Sequence, residues 1–290
     1  TRFKCDWSSD VCSSDLMAGK KYPMDITVAC SMGLEGGLAR FKDDLPNFSK
    51  GDFDLVHEWN RNLKKTMKEP EFKEYMTTTY RILLHFSTIT LSKIIDKLAV
   101  PYRSYHYAKR FLDAAHFVYE HADTNANVID FGRGLSPWGH VVKQNRPDIQ
   151  MYTFDKDETN SVFSTVSKKL NLQTPYFNKM PAEPKFDRDV FVSLGTFVYL
   201  DNAGQATKLK ETSAQFKNMF IELDKPNAVQ QDKEIVNNLG TEYNAGFSRQ
   251  ELTKLLGTQI PFELKEIGGR VKDARVAQAL KTATEQFLVR

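Results

Sequence analysis

The stretch Asn127-Val128-Ile129-Asp130-Phe131-Gly132-Arg133-Gly134-Leu135-Ser136-Pro137-Trp138-Gly139 decides the fold. Val128 and Ile129 are β-branched and Phe131 is aromatic, which suits a pleated, buried strand. Gly132 and Gly134 follow at once and allow a backbone turn that other residues resist. A helix is expected next, and its first turn leaves N–H groups free to meet a ligand. Strand, glycine turn and helix in that order open a parallel α/β sheet.

Working outward, Gln150–Phe154, Asp189–Gly195 and Asn218–Leu223 read as further strands, with a weak one at Tyr176-Phe177. A sixth is expected at Phe262–Ile267, and Phe287-Leu288-Val289 is either a seventh or the end of a truncated chain. Helical patterns lie between them: Val162, Val166 and Leu170, then Ala206, Leu209 and Phe216. Ser248-Arg249-Gln250-Glu251 reads as a capping box and Gly257 as the stop of that helix. Short apolar strands alternating with amphipathic helices predict a doubly wound, Rossmann-like parallel sheet covered on both faces. Upstream, residues 52–122 carry a helical pattern. Leu55, Trp59, Leu63 and Met67 line one face, Pro70 and Pro101 interrupt, and Tyr107, Phe111, Ala114 and Val118 mark a last helix.

In an open parallel sheet, ligands bind beyond the carboxyl ends of the strands. Asp155 ends the second strand, and a carboxylate there can accept hydrogen bonds from both hydroxyls of a ribose. The pairing of a glycine turn with this acid marks nucleoside binding without naming the ligand. The glycine spacing discriminates. A dinucleotide site wants Gly-x-Gly-x-x-Gly, with the pyrophosphate at the helix start; here Pro137 stands in the third place. Asp130 would repel a pyrophosphate but suits an ammonium group, directly or through water. This favours S-adenosyl-L-methionine over a nicotinamide cofactor. A nicotinamide-dependent oxidoreductase and a non-catalytic nucleoside-binding relative are the alternatives.

The turn resembles motif I of class I S-adenosylmethionine-dependent methyltransferases, and Tyr152-Thr153-Phe154-Asp155 resembles their second motif. More narrowly, the chain is similar to the leucine carboxyl methyltransferase-like branch. That similarity is carried by Arg110-Phe111-Leu112-Asp113 before the first strand, the Gly132–Trp138 turn, and Leu194-Gly195-Thr196-Phe197-Val198-Tyr199-Leu200 after the fourth. Ser136, Trp138 and Leu194 stand where that branch has Asp, Arg and Glu. The resemblance implies a helical N-terminal cap over a methyltransferase sheet, and an O-methyltransferase acting on a carboxylate or a small-molecule hydroxyl. It implies that Arg110 pairs with the cofactor's carboxylate, in which a guanidinium can engage bidentately. Asp130, Gly132, Gly134, Asp155 and Gly195 complete the expected cofactor site.

Chemistry alone sets the need for a base. A carboxylate acceptor is ionised at neutral pH and needs none; a phenol, amine or thiol wants one. His106, His116 and His140 lie near in sequence, but packing accounts for a lone helical histidine equally well, so no catalytic residue is named.

Composition narrows the rest. The chain has 290 residues, 41% hydrophobic and 27% charged, enough to bury a core without disulfides or metal. Residues 6–16 match the in-frame translation of a sequencing adapter, so residues 1–16 are read as an artefact without structure or function. The expected layout is then residues 17–122 as a mostly helical cap and 123–290 as the cofactor-binding domain. Excluding that segment leaves Cys30 as the one cysteine and a mildly basic balance without a basic stripe. Neither a disulfide framework nor a nucleic-acid partner is therefore expected. No signal sequence, membrane span or metal motif is read, and a cytoplasmic location is the default expectation.

Overall fold

The computed structural model describes residues 24–44, 48–98, 103–185, 187–197, 202–224, 250–251, 254, 262–266 and 284–289. The expected artefact and the capping box at Ser248-Arg249 lie outside the described residues, as do Val198, Tyr199 and Gly257. Six helices come first: α1 (Asp25–Arg40), α2 (Lys50–Thr66), α3 (Pro70–Lys73), α4 (Thr78–Leu83), α5 (Thr88–Leu98) and α6 (Arg103–His121). The sheet units follow as β1 (Asn127–Phe131), α7 (Trp138–Asn145), β2 (Gln150–Phe154), α8 (Asp157–Lys169), β3 (Tyr176–Phe177), β4 (Val190–Ser193), α9 (Asn202–Ser213) and β5 (Asn218–Asp224). Two strands end the described chain, β6 (Phe262–Glu266) and β7 (Thr284–Val289).

The sheet order is β3-β2-β1-β4-β5-β7-β6. The first five strands pair in parallel, whereas β7 runs antiparallel to both β5 and β6. The doubly wound parallel sheet expected from the sequence is present in β1–β5, and the β6–β7 edge adds an antiparallel strand to it. Strand direction is set by the connection and the partner edge, neither of which the short run at Phe287 contains. A dinucleotide-binding sheet continues past its fifth strand with a sixth parallel one; here the antiparallel β7 takes that place.

The second departure is α1. Gly33, Gly36 and Gly37 weaken it as an isolated helix, by about 1 kcal/mol each relative to alanine. Tertiary contact outweighs that cost. A Cβ on Gly33 would lie 2.3 Å from the Tyr107 ring, one on Gly36 2.3 Å from Ser92 Cβ, and one on Gly37 2.1 Å from the Ser104 carbonyl oxygen. The three glycines therefore let α1 lie directly on α5 and α6. Charged and polar groups lock it there. Buried Glu35 accepts from Asn60 Nδ2 and Thr88 Oγ1, both at 2.8 Å, and meets His57 Nδ1 at 2.8 Å. Ser49 and Asp52 close a capping box at the start of α2.

One core runs through both halves. Leu34 and Leu38 of α1, Val56 of α2 and Phe111 and Val118 of α6 pack with Val128, Val190, Val192 and Phe220 of the sheet. A second cluster joins Trp59 and Leu63 to Leu135, Val162 and Phe163. The helical N-terminal region thus seals one face of the sheet and the glycine turn itself. No helix among the described residues is long and apolar enough to cross a membrane.

Candidate functional site

Strand order reverses between β1 and β4, because the chain runs outward through β2 and β3 and then returns to lay β4 on the other side of β1. The crevice of a doubly wound sheet opens at the carboxyl ends of such a pair. Gly132 follows β1 and Thr196 follows β4, and Thr196 Oγ1 donates to the Gly132 carbonyl at 3.0 Å. Gly132, Gly134 and Gly195 all hold positive φ, at 74°, 64° and 67°. A Cβ on Gly132 would meet Thr196 Oγ1 at 2.0 Å, and one on Gly134 would meet Thr27 of α1 at 3.2 Å. The turn needs glycine both for its conformation and because protein side chains already fill the space.

Asp155 stands where expected, just past β2. Its Oδ2 accepts from the Gly134 N–H at 2.6 Å, and its Oδ1 accepts from the Lys156 N–H at 2.8 Å. Asn178 Oδ1 takes the Asp155 N–H at 3.1 Å and Asn160 Nδ2 donates to the Asp155 carbonyl at 3.0 Å. The acid is tied to the glycine turn, so a ligand hydroxyl reaching it also touches that backbone. From above, the Trp59 indole donates to the Leu135 carbonyl at 2.9 Å, clamping α2 onto the turn.

Asp130 is 1% exposed, and its Oδ2 has no hydrogen-bond partner. Burial raises its pKa; Arg133 lowers it, Asp155 raises it, and the result is about 7. Arg133 lies inside the same glycine turn. It is buried, with its guanidinium 3.5 Å above the Phe163 ring. Nε donates to the Gly134 carbonyl at 3.0 Å and Nη2 to Asn160 Oδ1 at 3.2 Å. Burial lowers its pKa to about 10, against the pull of Asp155 and Asp130, and it stays charged at neutral pH. Asp130, Arg133, Thr153 and His140 line a small cavity between α7, α8 and β2.

Arg110 lies at the far end of the crevice. Its Nη1 donates to Glu222 Oε2 at 3.0 Å, and Nη2 donates to Cys30 Sγ at 3.5 Å. A Cβ on Gly195 would lie 2.8 Å from Nη1, so Arg110 and Gly195 are in contact across the β4 turn. His106 Nε2 lies 2.6 Å from Glu222 Oε1. Glu222 was missed from sequence; its signal is a lone acid inside the apolar run Met219-Phe220-Ile221-Glu222-Leu223. Of the other histidines, His140 is packed inside the fold. Its ring stacks on Phe163 at 5.0 Å, its Nε2 meets Ser167 Oγ at 3.0 Å, and burial lowers its pKa to about 3.

Two groupings result. Gly132, Gly134 and Asp155 form one with Asp130 behind it, and Arg110 with Gly195 forms the other; Thr196 links them at the β1–β4 reversal. No cluster of metal-ligating side chains occurs among the described residues.

No family model matches the chain, and no curated protein matches it. Among solved structures, the plantazolicin methyltransferase BpumL in complex with SAH is 13% identical, with 83% of this chain and 98% of that chain covered and a TM-score of 0.46. The methyltransferase domain of bacterial CtHen1 is 11% identical over 62% of this chain and 96% of that one, with a TM-score of 0.44. PKMT2 from Rickettsia typhi in complex with AdoHcy is 11% identical over 62% of this chain and 52% of that one, with a TM-score of 0.41. With identities this low and TM-scores under 0.5, the chemistry of the site rests on this chain's own residues.

Proposed function

We propose that this chain is an S-adenosyl-L-methionine-dependent methyltransferase, with residues 17–122 as a cap over the cofactor-binding sheet. The observation that carries the reading is the pairing of Asp155 with the Gly134 N–H at 2.6 Å, at the mouth of a turn built on two left-handed glycines. An acceptor carboxylate and a tight backbone turn side by side suit a ribose lying across the strand ends. Asp155 would hold the ribose hydroxyls. Arg110, beside Gly195, would hold the carboxylate of the methionine part, and Asp130, with its unpartnered Oδ2, would accept from the ammonium through water.

A nicotinamide cofactor fits less well. Pro137 replaces the third glycine, an acid backs the turn, and the antiparallel β7 stands where a dinucleotide-binding sheet has a parallel strand.

When bound, the cofactor supplies a sulfonium methyl group already activated for in-line displacement. The protein's share is alignment and exclusion of water. The covered turn and the buried floor serve both. The acceptor we infer is a carboxylate or a small-molecule hydroxyl, with neither nucleic acid nor membrane as partner, and the cytoplasm as the location. Incubation with methyl-labelled S-adenosylmethionine and two probes, benzoate and phenol, tests this. Label in an organic-extractable product that mild base releases as methanol would mark an ester; base-stable label would mark an ether. Transfer to neither probe would count against a small-molecule acceptor of these two classes.

A further inference from the structure

Glu222 asks for an explanation of its own. It sits in β5 between Ile221 and Leu223, both buried core residues, and is itself 1% exposed. Burying a carboxylate there is costly, and apolar residues in place of both partners of such an ion pair would serve stability as well or better. Burial raises its pKa, but Arg110 and His106 outweigh that and bring it down to about 2. Glu222 is therefore a fixed negative charge between two groups from one face of α6, spaced by one helical turn.

Those contacts fix the pose of Arg110. Glu222 Oε2 takes Nη1 at 3.0 Å, and the Tyr107 and Phe111 rings flank the guanidinium at 4.9 and 5.0 Å. The Gly195 turn lies against the same nitrogen and is shaped to admit it, since a Cβ there would come within 2.8 Å. His106, 2% exposed, stands against the other carboxylate oxygen of Glu222, with Nε2 2.6 Å away. A guanidinium carries five donors and can serve a second carboxylate while holding the first.

We infer that Glu222, braced by His106, is a positioning residue: it holds Arg110 against the Gly195 turn so that the guanidinium meets the cofactor's α-carboxylate in a fixed orientation. This rests on the cofactor reading above and extends it to two residues that do not themselves touch the ligand. Glu222 would act through Arg110, as outer partners of a metal ligand do, whose loss costs about 10- to 100-fold.

Calorimetry on the full chain with two ligands separates this from a purely structural role. S-adenosylhomocysteine carries the amino-acid end; 5′-methylthioadenosine lacks it. Glu222→Gln should weaken S-adenosylhomocysteine about tenfold and leave methylthioadenosine within about twofold. If Glu222→Gln does not fold, as judged by its melting transition, His106→Phe should shift the same ratio in the same direction. Equal weakening of both ligands, or unchanged or tighter S-adenosylhomocysteine binding, would overturn the inference. Wild-type protein that binds neither ligand would instead remove the cofactor reading beneath it.

Discussion

Replacing Asp130 with asparagine should make the protein progressively more stable as pH rises above about 4 and change nothing below it. Asp130 is buried, and its pKa rises from 3.8 to about 7 on folding, mainly through burial. The folded state thus holds a proton that the unfolded state has already released between those two values. Folding stability from this group is full below about pH 4 and is lost as pH rises toward 7. Each pH unit of that window is worth about 1.36 kcal/mol, so ionised Asp130 costs about 4 kcal/mol by pH 8. The asparagine side chain keeps the shape of the protonated acid and carries no charge. Urea melts of the wild type and Asp130→Asn at pH 4 and pH 8 measure the difference. Equal stability at pH 4 and a gain of about 4 kcal/mol for the variant at pH 8 are expected. A pH-independent difference, or a variant that is weaker at pH 8, would refute the burial argument. The same change should weaken S-adenosylmethionine, because the anion proposed to face its ammonium group is gone.

Three further outcomes follow from contacts described above. Asp155→Ala removes the acceptor proposed for both ribose hydroxyls and should weaken S-adenosylhomocysteine by about 1.5–3 kcal/mol in calorimetry, the worth of a charge-assisted hydrogen bond; unchanged affinity would move the ribose elsewhere. Gly37→Ala places a methyl 2.1 Å from the Ser104 carbonyl oxygen, and a loss of about 1–3 kcal/mol is expected in thermal melts as α1 is pushed off α6; a neutral change would mean that α1 does not rest on α6 so closely. Bound S-adenosylhomocysteine should slow alkylation of Cys30, read by peptide mass, since its Sγ lies 3.5 Å from Arg110 Nη2. An unaltered rate would place the ligand's carboxylate away from Arg110.

The sheet was legible wherever a strand and its turn shared one short run. Val128-Ile129, the two glycines and Asp155 are local signals, and the strand ends they mark lie side by side in the structure. The departures come from tertiary terms. The glycines of α1 are poor helix formers in isolation, and only Tyr107, Ser92 and Ser104 pressing on them give them a place in a helix. The direction of β7 depends on an edge that no local run contains. Arg133 belongs to the motif but stacks on Phe163, 30 residues away in sequence. Glu222 and Arg110 are 112 residues apart, so nothing in either run announces their pairing. What could have been noticed is that an acid inside Met219–Leu223 must find a cation, and that His106 and Arg110 share a helix face.

The central claim is that the β1–β4 crevice binds the nucleoside and amino-acid parts of S-adenosylmethionine. Titration of the full chain with S-adenosylhomocysteine, with NAD as the control, tests it most directly. Saturable 1:1 binding of S-adenosylhomocysteine, weakened by Asp155→Ala, with NAD at least about a hundredfold weaker, is the expected result; that ratio corresponds to roughly 2.8 kcal/mol. Tight binding of NAD with no binding of S-adenosylhomocysteine would contradict the account.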